Sequence, residues 1–148
     1  MADVHYTLAI SEEAIAQLRS LPKEQRWRIG ERLNRLQDGL SGDVKKLSGR
    51  ESKYRLRVGV FRVLFTLAGG QILVYAVKDR KEAYEYATTA APKPGKLTLQ
   101  SIYDEMLRLR ERVEDLEDLR ELNAAIVRNG KKKLIPWDAA RRLLDLEN

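Results

Sequence analysis

The stretch from Lys53 to Lys78, KYRLRVGVFRVLFTLAGGQILVYAVK, constrains the fold more than any other part of the chain. Three apolar runs, 53–58, 61–67 and 72–78, are separated by Gly59-Val60 and by Gly69-Gly70. Branched and aromatic side chains suit a pleated strand, and a Gly-Gly pair supplies the positive φ of a tight hairpin. The segment therefore predicts three consecutive antiparallel strands. Alternation puts Arg55 and Arg57 on one side of the first strand, with Leu56 and Val58 on the other. In the second strand Phe61, Val63 and Phe65 share a face and leave Arg62 and Leu64 opposite. If both apolar sets face the core, all three arginines point onto one open sheet surface.

Upstream, VHYTLAI alternates weakly as a strand and ends at Ser11, a helix N-cap ahead of Glu12 and Glu13. Ala14, Ile15, Leu18 and Leu21 recur at helical spacing. Pro22 opens a second helix with Trp27, Ile29, Leu33 and Leu36 as its apolar stripe and Gly39 as its stop. Strand, helical hairpin and three-stranded meander make an α+β domain with the helices packed on one sheet face.

ATTAAPKPGK, residues 87–96, has the composition of a linker. Beyond it Leu99, Ile102, Met106, Leu109, Val113 and Leu116 alternate spacings of three and four, the seam of a long charged helix. Leu119, Leu122 and Ile126 continue it less regularly. RNGKKK stops the helix, Leu134 and Ile135 read as extended, and Pro136 begins a last short helix. This tail has no core of its own and must bury its apolar stripes elsewhere. The expected division is a domain at 1–90, a linker at 91–98 and a helical segment at 99–148.

Charge follows the same division. Residues 45–62 hold seven basic side chains against Glu51, whereas residues 104–121 hold eight acids against four arginines. A concentrated basic segment points to a polyanionic partner, and the acidic stretch behind it hints at internal pairing. Guanidiniums grip phosphate bidentately and tyrosines stack on bases, so the arginine surface, with Arg80, Tyr84 and Tyr86 beyond it, suits single-stranded RNA. A solvated strand face explains the same alternation without any ligand. The chain has no cysteine, which removes disulfides and thiolate zinc sites. It shows neither a membrane-length apolar run nor a secretory leader, so a cytoplasmic protein is expected. His5, the only histidine, opens the first strand and is read as structural.

Residues 3–87 resemble the RelE branch of the RelE/ParE toxin family. The likeness is carried by KKLSGRESKYRLRVGVFRVLF and ILVYAVKDRKEAY: a basic segment with Leu-x-Gly, Tyr-Arg-x-Arg-x-Gly-x-x-Arg, a glycine hairpin, an apolar strand and Arg-x-x-x-Tyr. The resemblance implies a ribosome-dependent mRNA endoribonuclease. There the substrate's 2′-hydroxyl attacks the adjacent phosphate, giving a 2′,3′-cyclic phosphate with no metal or cofactor. It implies catalytic roles for Arg55, Arg57, Arg62 and Arg80, with Tyr84 or Tyr86 stacking, and RNA contacts from Lys45, Lys46, Arg50 and Lys53. Family ribonucleases carry lysines where Arg55 and Arg57 stand, and arginine does not deprotonate. A ParE-like gyrase inhibitor or a non-catalytic RNA-binding module is therefore the alternative.

Residues 110–146 are similar to the toxin-binding half of a Phd/RelB-type antitoxin, through EDLEDLR, the following Ala and Gly, IPW and LL. That likeness implies neutralising contacts from Leu109, Val113, Leu116, Leu119, Leu122, Ile135, Trp137, Leu143 and Leu144, made in cis or in trans by domain swap. The competing expectation for residues 99–126 is a dimerisation helix producing a homodimer.

Overall fold

One six-stranded sheet, in the order β2-β3-β4-β5-β1-β6, organises the computed structural model. The structure describes residues 5–47, 52–79 and 98–146. β1 (Thr7–Ile10) runs into Ser11, whose hydroxyl accepts from the Ala14 amide at 3.1 Å and starts α1 (Glu12–Arg19). Glu12 and Glu13 in the first turn and Arg19 in the last suit the helix dipole. α2 (Lys23–Leu36) follows Pro22 and buries Ile29, Gly30, Leu33 and Leu36, while Trp27, expected in that stripe, stays exposed.

β3 (Lys53–Val58), β4 (Phe61–Ala68) and β5 (Gln71–Asp79) form the expected antiparallel meander. Gly59, Gly69 and Gly70 all have φ near +55° to +76°, which a branched side chain would not tolerate in these turns. β1 lies parallel to β5, and β2 (Asp43–Lys46), a strand absent from the sequence expectations, pairs antiparallel with β3. Its DVKK composition carries no apolar alternation, so only its partner identifies it.

The tail joins the same sheet. α3 (Leu99–Asn129) starts at the Thr98 cap and stops at Gly130. β6 (Ile135–Pro136) then pairs antiparallel with β1, and α4 (Trp137–Leu143) turns back onto the body. Trp137, Ala140 and Leu144 enter the main apolar cluster with Leu18, Ile29, Leu33, Leu56, Val63 and Phe65. Trp137 Nε1 donates to Asn34 Oδ1 at 2.6 Å, and Arg26 donates to the Leu144 carbonyl at 3.2 Å, which would otherwise end a helix unsatisfied. A Cβ on Gly30 would lie 2.7 Å from Leu146 Cδ1, so glycine opens the surface of α2 to the chain beyond α4.

The fold is therefore α+β, with α1, α2 and α4 over one sheet face and α3 over the other. Among the described residues no helix is long and apolar enough to cross a membrane.

Candidate functional site: a basic sheet face under an acidic helix

The arginines share a face because the register forces them to. Arg57 lies opposite Arg62 across β3 and β4, Arg55 lies opposite Leu64, and Lys45 of β2 lies opposite Arg55. Directly paired residues project to the same side. Lys53 has the same parity as Arg55, and Lys78 of β5 lies opposite Arg62. Among the described residues, six cations thus line one sheet surface. Lys46, expected among them, is a parity step away: it lies opposite Tyr54, with its Nζ 6.0 Å from that ring, and belongs to the other side.

The surface is not open. α3 covers it and turns its carboxylates inward. Glu111, Glu114, Asp115 and Asp118 are spaced i, i+3, i+4 and i+7, one stripe of a helix. Asp118, with no exposed surface, bridges two arginines: its Oδ2 accepts from Arg55 at 2.9 Å and its Oδ1 from Arg62. Asp115 accepts from Arg55 at 2.7 Å and holds Lys45 at 2.6 Å. Glu114 accepts from Arg57 at 2.9 Å, with Glu111 3.7 Å from the same guanidinium and 3.3 Å from Lys45. Lys53 donates to Asn123, and Lys78 lies 3.8 Å from Glu121. Arg55 and Arg62 are 1 % and 4 % exposed.

Burial shapes the electrostatics. It pulls the Arg55 guanidinium down, but the hydrogen bond and charge of Asp118, reinforced by Asp115, leave it above its ordinary value. Burial pushes the Asp118 carboxyl up, and the Arg55 hydrogen bond and the charges of Arg62 and Arg55 pull it back without cancelling. The hydrogen bond to Asp115 raises Lys45. None of the three guanidiniums is gripped through its Nε: those of Arg55, Arg57 and Arg62 are buried with no hydrogen-bond partner among the described residues. The carboxylates therefore engage the forks end-on and leave donors unused.

Behind the ion pairs a small apolar cluster of Leu64, Ala76, Leu122 and Ala125 closes the contact. A bulge helps to build it. β4 and β5 shift register between Leu64 and Phe65, so Tyr75 and Ala76, consecutive in β5, both belong to this cluster or pack against it. At its far end α3 is clasped to α1 by Arg128, which donates to Glu13 Oε1 at 2.7 Å and Oε2 at 2.9 Å. That hydrogen bond, more than the charge, lowers Glu13 below its ordinary value against a raising effect of burial.

The apolar tail contacts are corrected in part. Leu122, Trp137 and Leu144 are buried, and Leu119 and Ile135 are half-buried. Leu109, Val113 and Leu116 are 52 %, 53 % and 65 % exposed, and Leu143 is also exposed. The seam lies on the side of α3 away from the sheet, because the acidic stripe has the stronger claim on a surface of buried cations. That stripe is legible in the sequence from the spacing of its acids, and the face of Lys78 from its parity with Ala76. Arg50, Arg80, Tyr84 and Tyr86 lie outside the described residues, as does the linker apart from Thr98. His5 pairs with Asp38 at 3.1 Å in an exposed position, away from the arginines. No group of three or more metal-ligating side chains is found among the described residues.

No family model matches the chain, and no curated protein matches it. Solved structures similar to the chain include two toxin–antitoxin complexes. A RelB–RelE antitoxin–toxin complex from Methanococcus jannaschii is 28% identical, with a TM-score of 0.45, over 53% of this chain and 96% of that one. An archaeal RelE–RelB complex from Pyrococcus horikoshii OT3 is 28% identical, with a TM-score of 0.46, over 51% and 96%.

Proposed function

We propose that the chain is a type II toxin–antitoxin module in one polypeptide, its first 90 residues a ribosome-dependent mRNA endoribonuclease and residues 99–148 the inhibitor held against it. One observation carries the reading: arginines on a sheet face are covered by a stripe of carboxylates that leaves guanidinium donors unused. Carboxylates at helical spacing stand where successive phosphates would stand, and a phosphate free to settle side-on to each guanidinium fork would use the donors that they leave. The tether raises the local concentration of the inhibitor to about millimolar, so even weak docking keeps the face covered.

In the cleavage reaction the 2′-oxygen bonds to phosphorus, the bond from phosphorus to the 5′-oxygen breaks, and one proton leaves the 2′-hydroxyl while another reaches the 5′-oxygen. Arg55, Arg57 and Arg62 would hold the phosphate in line and neutralise its equatorial oxygens. Arg80 would stand by the leaving oxygen, and Tyr84 or Tyr86 would stack on a base. Arginine cannot accept the first proton at neutral pH, so that role falls to tyrosine or to the ribosome.

The test is a full-length variant carrying Glu111→Gln, Glu114→Gln, Asp115→Asn and Asp118→Asn, compared with the parent in a translation extract by mapping mRNA ends on ribosomes. Cleavage by the variant alone, abolished by adding Arg62→Ala, is the expected result. A folded variant that binds RNA without cutting it leaves a binding module. That second reading is favoured by the identity of residues 55 and 57, both arginine, a side chain that does not serve as a base. A variant that ignores RNA altogether removes the RNA-directed function and makes gyrase the next target.

A further inference from the structure

The exposed side of α3 carries an apolar seam at heptad spacing. With Leu99 as position a of a heptad, the a positions are Leu99, Met106 and Val113, and the d positions are Ile102, Leu109 and Leu116. All six are exposed or half-exposed in the single chain. They occupy roughly the opposite side of the helix from the Glu114, Asp118, Leu122 and Ala125 stripe that docks on the sheet. The seam ends where Arg120 and Asn123 take the next a and d places. Docking on the basic face and pairing through the seam therefore use different surfaces and do not compete.

Charge selects the occupant. The flanking g positions are Glu105 and Arg112, and the flanking e positions are Tyr103, Arg110 and Glu117. In a parallel, in-register pair each g residue faces the e residue five places on in the partner helix. Glu105 then meets Arg110, and Arg112 meets Glu117, on both sides of the coil. Four opposite-charge contacts result and no like-charge one. An antiparallel pair with the same apolar layers sets Glu105 against Arg112 but turns Arg110 towards Tyr103, giving half as many. In the single chain Glu105 holds Arg108 at 3.4 Å, an exposed contact of little value that a coil can exchange. Val at an a position and Leu at two d positions favour two strands.

We propose that the protein forms a parallel two-stranded coiled coil through residues 99–117, a homodimer whose two sheet bodies flank one end of the coil on its outer sides. The inference stands apart from the nuclease reading, since it needs no RNA and no catalysis.

Sedimentation equilibrium of the full chain tests it directly. The weight-average mass should climb from 17.0 kDa towards twice that value between about 1 and 100 µM, the range expected of a short coil. Leu109→Asp with Leu116→Asp should weaken association at least ~100-fold while leaving the far-ultraviolet spectrum of the body intact, because both leucines are exposed in the monomer. Arg110→Glu should weaken it about tenfold, and Glu105→Arg in the same chain should restore it. Because the chain has no cysteine, Val113→Cys supplies one reporter. Oxidation should give a covalent dimer if the helices are parallel and in register. A monomer at 100 µM, an unaffected dimer in the double aspartate variant, or failure of Val113→Cys to cross-link would each overturn the proposal.

Discussion

The two faces of the sheet are buried by opposite means. On one, Leu56, Val63, Phe65 and Val74 pack against Leu18, Ile29, Leu33 and Trp137. On the other, Arg55 and Arg62 are sealed by Asp118, and apolar contact is confined to a few residues around Leu122. The first arrangement gains from every methylene removed from water. The second takes charges out of water and recovers the cost only through close pairing. A chain that needed stability alone would have two faces of the first kind. On the function proposed above, the charged face is a surface whose other partner is RNA.

Replacing Asp118 by alanine should have the largest effect. It strands two buried guanidiniums, and the loss should be ~3–5 kcal/mol by denaturant unfolding. If the loss stays below ~1 kcal/mol, α3 lifts readily and the face is covered only loosely. Leu122→Ala removes the apolar anchor of the same contact and should cost ~2–5 kcal/mol, nearly independent of salt. The converse change sharpens the comparison. Arg55→Met, Arg62→Met and Asp118→Leu together should leave stability unchanged or raise it by ~1–4 kcal/mol, as apolar replacements of buried ion groups do. The raised Asp118 carboxyl points the same way, since ionisation is disfavoured where it lies. A large loss in the triple variant would mean that the ion pairs themselves hold the fold.

The smallest effect is that of pH on the clasp between α3 and α1. Glu13 is held below its ordinary 4.5 by Arg128, so the contribution is complete above that value and is lost as pH falls through the lowered one. Because both partners are partly exposed, the loss is at most ~1 kcal/mol. It should vanish in Glu13→Gln, measured as the difference in unfolding free energy between pH 6 and pH 3.

Much of this was legible beforehand because local rules and tertiary packing agree. Alternation assigned Arg55, Arg57 and Arg62 to one face, Ser11 marked a helix start, and Gly69-Gly70 marked a hairpin. β2 was illegible because Asp-Val-Lys-Lys has no pattern of its own and is a strand only beside β3. The bulge at Tyr75 was illegible for a related reason, since a one-residue slip leaves composition unchanged. The covering of the arginines was half legible. The acidic stretch hints at internal pairing, but a leucine seam at coiled-coil spacing competes with a carboxylate stripe at helical spacing for the buried side. Hydrophobicity decides which side of a helix is buried only where the surface awaiting it is apolar.

α3 follows β3 and β4 by more than thirty residues. Chains leave the ribosome from the N-terminus, and their parts fold in that order. Arg55, Arg57 and Arg62 therefore emerge before Asp115 and Asp118 have been made. For that interval the nascent chain presents its arginine face without its carboxylates, at the surface of the largest assembly of RNA in the cell.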